Sequence, residues 1–404
     1  MENTKPRPDT ALKFIRLSAH ELMNRAEWDD LVAETGADIY FLTEWQAAWW
    51  SHYGTSFSSS RQPVCYELRD QTGLRAALPF CIETIWAGPV PVRVARLAGV
   101  DPNFAVMSLP ISKGFDATFF DAVFDHLVSQ FNCSAISLSP MSDRARHLAC
   151  MRRPAGQCVS LLRDQSPRGH TLMALPVSHD AFMSALSKSR RREVRRDLKR
   201  LNEIAPLRNT SARPDTVDQA MDRFVELHTQ QWVAAGKGGH FSDWSKAADF
   251  YRELLQRLAA KGQATIDEQW QGDKLLSSQL RFTLGAKAYW WLNARETDPA
   301  YSKIGLGRMG LVERVAGLIA EGIDFVEAGA GEYEYKLSYG GELVPLHSIV
   351  LAGDRPLQRF RARWLLLWAD GLHLFYYRLW FLKLRPRLGT RPRALWTSWI
   401  RTRL

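Results

Sequence analysis

Apolar positions in this chain alternate with period two in some runs and recur every three to four residues in others, and the two patterns trade places in a repeated order. Residues 43–52 predict a tryptophan-rich helix, 63–69 and 74–82 two strands joined by a turn at Asp70–Gly73, 115–130 a helix and 135–138 a strand. The stretch 163–170, which holds Pro167 and Gly169, reads as a linker. Beyond it, 214–235 and 244–259 predict helices, and 264–270, 274–284 and 286–293 predict strands. A helix then starts after Gly307, and a strand follows at 323–327. Hairpin, helix and strand recur on both sides of the linker, which predicts a duplicated α/β unit.

Three segments break this regularity. From Ser187 to Arg200, eight of fourteen residues are basic, and Val194, Leu198 and Leu201 fall at i, i+4 and i+7. That spacing gives a helix with one narrow apolar stripe and an otherwise cationic surface, which Glu193 and Asp197 only partly neutralise. The second segment, Tyr301 to Gly310, is glycine-rich and opens onto a helix carrying Leu311, Val312, Val315, Leu318 and Ile319. Such a loop presents unpaired N–H groups and the positive end of a helix dipole, which suits an anion. The third segment, Asp324 to Tyr339, reads DFVEAGAGEYEYKLSY, a strand end crowded with acidic, phenolic and amine groups beside two glycines.

Composition narrows the class. A 404-residue chain with 46% hydrophobic and 24% charged residues has room for two or three domains with sizeable cores. The start, MENTKPRPDTALK, is polar and lacks the pattern of a signal peptide. Five cysteines without metal-ligand spacing point to reduced thiols, a cytoplasmic location and no metal site. The formal charge of +10 is localised: Arg355 to Leu404 holds twelve basic residues against Asp370 alone, so the remainder is close to neutral. Five of the fifteen tryptophans also lie there, and Asp370, His373, Arg378 and Lys383 argue against a transmembrane span. Indoles interleaved with arginines, followed by Arg385-Pro-Arg387 and Arg391-Pro-Arg393, fit a helix lying on an anionic membrane surface, or else one docked on protein.

Several motifs match a known family. They are Phe41 to Gly54 with Trp45, Trp49 and Trp50; Gly73 to Pro79; the basic run Leu186 to Leu198; His228 to Trp232 with Gly236-Lys237; and Gly329-x-Gly331 with Tyr335-Lys336. On these motifs the chain resembles the GNAT-superfamily acyltransferases associated with bacterial cellulose and exopolysaccharide biosynthesis, which are similar to Fem-type aminoacyl transferases. Two positions depart from the pattern. Glu327 stands where an Asp is usual, and Ser302 stands where the carrier loop normally begins with Gln or Arg.

The resemblance implies acyl transfer from acyl-CoA, with acetyl-CoA the expected form, no covalent enzyme intermediate and no metal. Gly305, Gly307, Arg308 and Gly310, with Ser302 at the loop entrance, are then the candidates for the coenzyme A pyrophosphate. Glu327 and Glu332 compete as general base, Tyr335 is placed to return a proton to the leaving thiolate, and Lys336 to hold a phosphate or carboxylate. Arg191, Arg192, His228, Trp232 and His240 are candidates for the acceptor side. Trp45, Trp49 and Trp232 suit a stacking wall, though their spacing fits a core face better. The expected fold is α/β, with two tandem GNAT-like domains of mixed sheets flanked by helices (residues 1–165 and 170–353, the latter with the basic helix 187–204) and an amphipathic helical tail, 354–404. The expected activity is acylation of an amine or hydroxyl on a small-molecule, glycan or lipid acceptor in envelope or exopolysaccharide assembly, by a cytoplasmic or peripheral membrane protein. Two rivals stand beside it: an aminoacyl-tRNA-dependent transferase whose basic helix grips RNA, and a non-catalytic membrane scaffold.

Overall fold

Strand pairing in the N-terminal half grows outward from one tight hairpin. β1 (Ala11–Ile15), β2 (Gln62–Asp70), β3 (Gly73–Ala87) and β4 (Val90–Leu97) pair antiparallel in sequence, with Asp70 opposite Gly73 at the turn. The helix Asp116–Ser129 then carries the chain over to β5 (Ala135–Ser142), which lies parallel to β4, as a crossover connection requires. β12 (Glu342–Gly353) flanks β5 antiparallel from Leu346 to Ala352. The computed structural model describes residues 11–15, 25–54, 61–100, 104–154, 156, 158–236, 239–244, 246–385 and 395–404. Lys237 and the arginines 387, 391 and 393 of the motifs above lie outside them.

The chain divides into two compact units, one of Met1–Pro167 with Leu346–Leu404 and one of Arg168–Pro345. The second unit repeats the topology of the first. β7 (Leu207–Ser211), β8 (Ala264–Gln271), β9 (Lys274–Leu284) and β10 (Lys287–Arg295) pair antiparallel, and the helix Leu306–Ala320 crosses over to β11 (Phe325–Ala330), parallel to β10. β6 (Val159–Ala174) flanks β11 antiparallel, as β12 flanks β5. The α/β class and the duplicated hairpin, helix and strand therefore match the sequence pattern.

Three expectations need correction. Residues 163–170 are not a linker but the middle of β6, because extended backbone accommodates Pro167 and its polar neighbours stay at the surface. The basic helix, Lys188–Ile204, buries Asp197 together with Val194 and Leu201, so its inner face is not purely apolar. Nor is the tail a separate segment. Ala362, Leu365 and Leu366 of the helix Pro356–Gly371 enter a core with Ile85, Ala87, Val92 and Val350, and Trp364 Nε1 donates to the Ala87 carbonyl at 2.8 Å. The helix packs there because four of its residues in one turn-and-a-half are large and apolar on the side facing the sheet. No described helix is long and apolar enough to cross a membrane.

The core of the second unit positions its chemistry. Met309, Val312 and Val315 of the crossover helix pack on Leu276, Ala288, Trp290, Val326 and Ala328 of the sheet, and Val194 and Leu201 of the basic helix join the same cluster. Apolar side chains from three strands and two helices thus hold the two glycine loops in place.

Candidate active site

Parallel pairing of β10 with β11 lasts only from Lys287–Phe325 to Tyr289–Glu327, and β10 then bulges between Trp290 and Leu292. The two strands part at that point, and a narrow cleft opens beside the crossover helix. Its walls are Ser277, Ser278 and Gln279 of β9, Trp290, Asn293, Ala294 and Arg295 of β10, Gly307, Gly310, Leu311 and Arg314 of the helix, and Tyr335 and Lys336. Three buried polar atoms on these walls, Ser277 Oγ, Ser278 Oγ and Trp290 Nε1, have no hydrogen-bond partner among the described residues. Buried polar groups are almost always satisfied, so three orphans along one cleft mark a place for a ligand's own polar groups. Sequence reasoning missed these residues, because a Ser-Ser pair within an apolar strand carries no local signal.

Of the candidates at the third segment, the structure brings Tyr335 and Lys336 to the cleft. Gly329 and Gly331, at φ of 82° and 115°, turn the chain back after β11, and the short helix Glu334–Ser338 carries both side chains inward. Lys336 is buried; its ammonium donates to the Ala328 carbonyl and lies 4.9 Å from the Tyr333 ring centre. Burial pushes its amine down to about 8, although the nearby Glu327 opposes the shift. Burial also raises the Tyr335 phenol above its ordinary value, so it is protonated at neutral pH, and Asn293 Nδ2 donates to its oxygen at 3.3 Å. Glu332 is exposed. Glu327 is fully buried and absent from the cleft walls. Its Oε1 accepts from Gly329 N at 2.9 Å and lies 3.2 Å from His170 Nδ1, so it fixes the glycine turn.

At the second segment the anion position already holds an anion. Asp197 Oδ2 of the basic helix accepts from Gly305 N at 3.0 Å and from Arg308 Nη2 at 2.8 Å, and Oδ1 accepts from Arg196. Burial works against ionisation of Asp197, yet the hydrogen bonds from Arg308 and Gly305 outweigh it and hold the carboxyl below its ordinary value. Gly305 is the residue before the helix and offers no side-chain cap, so Asp197 supplies the negative charge that this helix end favours. Arg200 Nη1 donates to the Lys303 carbonyl, and Arg190 lies 3.6 Å from Glu334, so the basic helix touches both glycine loops. Ser302 is exposed in the turn after Pro299, while Gly307 and Gly310 line the cleft.

The acceptor-side candidates are dispersed. Arg191 Nη1 donates to the Ser184 and Leu186 carbonyls and so braces the start of the basic helix, whereas Arg192 is exposed. His228 accepts from Trp232 Nε1 at 2.9 Å and packs 5.0 Å from the Phe241 ring. Burial pushes its imidazole down to about 4; burial, with His228 adding, pushes His240 down to about 3. Both are neutral at physiological pH, in an aromatic cluster with Trp244 and Tyr251. Neighbouring Gln231 links this helix to the cleft, because its Oε1 accepts from Arg295 N at 2.9 Å.

The first unit has the same strand arrangement, and side chains of its own fill the corresponding position. Parallel pairing of β4 with β5 covers Val94 to Arg96, and just beyond it Gln46 Nε2 donates to the Ala98 carbonyl at 3.0 Å and Trp45 Nε1 to Gly99 at 2.9 Å. Trp45 and Trp49 are accordingly core residues.

Residues 188–337, which contain the open cleft, match the family model described as an acetyltransferase (GNAT) domain. The protein is an acyltransferase. Among solved structures, FemX aligns with a TM-score of 0.56 at 10% identity, covering 83% of this chain and 96% of that one. The DUF2156 C-terminal domain of an Agrobacterium fabrum protein described as a lysylphosphatidylglycerol synthetase aligns with a TM-score of 0.51 at 12% identity, covering 88% and 97%. At such identities the likeness is one of fold. A comparison with curated proteins finds no match.

Proposed function

We propose that the second unit transfers an acyl group, from acyl-CoA, to an amine or hydroxyl of a glycan or lipid precursor in envelope or exopolysaccharide assembly. The observation that carries this reading is the cleft where β10 leaves β11, with its three orphaned polar atoms and a buried amine at one end. Those uncharged groups fit the slim, amide-bearing arm of the donor. Lys336, as the ammonium, faces the carbonyl whose oxygen gains charge as the nucleophile adds. Tyr335, protonated, supplies the proton that the leaving sulfur takes up, and the acceptor's own proton passes to the exposed Glu332 or to water. The five free cysteines suit the cytoplasm, and the basic, tryptophan-rich tail is read as the side turned to the membrane.

One observation favours a second reading. Asp197 occupies the position where the donor's pyrophosphate would meet Gly305 and Arg308. The loop therefore does not fit that group while Asp197 is seated. An aminoacyl-tRNA donor needs no phosphate there, and its backbone would find the exposed arginines of the basic helix. Calorimetric titration of wild type and Asp197→Asn with acetyl-CoA, and of wild type with aminoacylated tRNA, separates the two. The acyl-CoA reading expects binding to wild type that strengthens in D197N. No acetyl-CoA binding to either protein, with salt-sensitive tRNA binding, overturns it in favour of the aminoacyl reading.

A further inference from the structure

The helix Pro356–Gly371 runs without a break into a π-helical segment, Leu372–Leu384. Trp364, Trp368, Leu372, Tyr376 and Trp380 recur at intervals of four along both. A spacing of four overshoots an α-helical turn by roughly 40° per step. The wider π turn, with its i→i+5 hydrogen bonds, undershoots, so the drift reverses at Leu372 and the stripe bends back on itself. With Phe375, these side chains line an apolar cup of ≈ 710 Å³. That volume lies in the range of small-ligand pockets, not of packing defects. Trp368 lies against Gly88 and packs on the core of Ile85, Ala87 and Val92, so the inner wall of the cup is fixed by the body of the unit.

The rim of the cup is apolar and then basic. Leu367 and Phe375 are both 66% exposed, and Leu374, Leu379 and Leu382 are exposed beside them. Arg378 and Lys383 are exposed on the same segment, and Arg385 lies 4.6 Å from the Phe381 ring. The single acid of the tail, Asp370, is held by Arg163 through contacts of 2.9 and 2.6 Å, so it does not offset that charge. Apolar side chains ringed by cations are the complement of an anionic bilayer surface, where each basic residue adds to the attraction.

We infer that this cup takes one acyl chain of an anionic phospholipid, with its headgroup among Arg378, Lys383 and Arg385. The inference deepens the membrane-facing reading of the tail and rests on it, but it does not depend on the donor or the reaction. Trp364 and Trp368 serve both surfaces: they pack against the core of Ile85, Ala87 and Val92 and also line the cup, so the helix that roots the segment in the unit forms part of the cup wall.

The test uses the full chain with vesicles of phosphatidylcholine alone or with a third phosphatidylglycerol, in a flotation assay at low and high salt. Wild type is expected to float with the anionic vesicles, at least tenfold more than with the neutral ones, and to be released as salt rises. The double variant Phe375→Asp/Trp380→Asp loses flotation at all salt concentrations, whereas Arg378→Gln/Lys383→Gln weakens it only at low salt. Circular dichroism and acyl transfer to a soluble acceptor remain at wild-type level in all of these variants, which separates failure of the cup from failure of the enzyme. Equal flotation of the double Asp variant and wild type overturns the acyl-chain assignment. Absence of wild-type flotation, with concentration-dependent dimerisation that the same variant abolishes, overturns the lipid assignment in favour of a second copy of this chain.

Discussion

Replacing Lys336 by Met gives a prediction in which stability and activity move in different directions. Burial lowers the Lys336 amine from 10.5 to about 8, which corresponds to about 3 kcal/mol of disfavoured charge at pH values below 8. Methionine preserves the stem and removes that cost. It also removes the hydrogen bond to the Ala328 carbonyl, a loss of about 1 kcal/mol. At pH 7 Lys336→Met should therefore be as stable as wild type, or more stable by up to about 2 kcal/mol. The pH dependence is a sharper readout. Between about pH 8 and 9.5 the folded wild type has largely lost the proton while the unfolded chain still binds it, so wild-type stability relative to the variant rises by about 1.5 kcal/mol across that window. The buried thiols Cys81 and Cys133, pushed up to about 12, titrate alike in both proteins and cancel in the difference. Turnover should fall by about 10²–10³, as for loss of one donor to a developing oxyanion, and wild-type kcat/KM should decline as pH rises through about 8. Urea denaturation at several pH values, paired with a steady-state assay, measures both. A variant with full activity, or a stability difference that stays flat from pH 8 to 9.5, would refute the reasoning.

Two further perturbations probe the loops. Asp197→Asn should destabilise the protein by about 1–3 kcal/mol at neutral pH, through loss of the charged partner of Arg308; because the folded carboxyl is depressed, that difference should vanish as pH falls through and below about 4, and a difference that persists in acid would show that Asp197 does not act as an anion. Gly310→Val should raise the KM for the acyl donor at least tenfold with little change in melting temperature, since a Cβ there would meet Ser277 Oγ at 2.9 Å inside the cleft; an unchanged KM would remove the cleft from the donor's path.

The sequence made the repeated topology legible because each hairpin is a pair of apolar runs broken at a tight turn, Asp70–Gly73 and Gln271–Lys274, and each crossover helix follows with apolar residues every three to four positions. Strands 274–284 and 264–271 fall within a residue of where alternation predicts them. β6 was illegible for another reason: its middle is polar and contains Pro167, so local propensity argued for a loop, and its pairing with β11, from His170 to Ala174, lies beyond that polar stretch. Tyr335 and Lys336 were legible as candidates because two glycines and a strand end announce a presented loop. Glu327 carried the same signal, but alternation along β11 turns it to the buried side, against His170. Asp197 was read as a surface charge on a basic helix. Its partners, Gly305 and Arg308, are more than a hundred residues away in sequence, so no local pattern reveals them.

The two units differ in what lies at the gap where their parallel strands part. Each unit pairs its two parallel strands over three positions only, at Val94–Arg96 and at Lys287–Tyr289. Beyond that point a strand edge exposes carbonyl and N–H groups that must find partners. In the first unit, the helix Thr43–Tyr53 supplies them from within: Gln46 Nε2 bonds Ala98 and Tyr40, Trp45 Nε1 bonds Gly99, and both side chains are fully buried. In the second unit the matching helix, Val217–Ala234, reaches only the far end of β10, where Gln231 takes the N–H of Arg295. The segment between, with Ser277, Ser278 and Trp290 unsatisfied around it, is left for something else. An internal plug stabilises; an unsatisfied wedge costs stability until a ligand fills it. The duplicated fold thus fills the gap with its own side chains in one copy and leaves unsatisfied polar side chains beside it in the other.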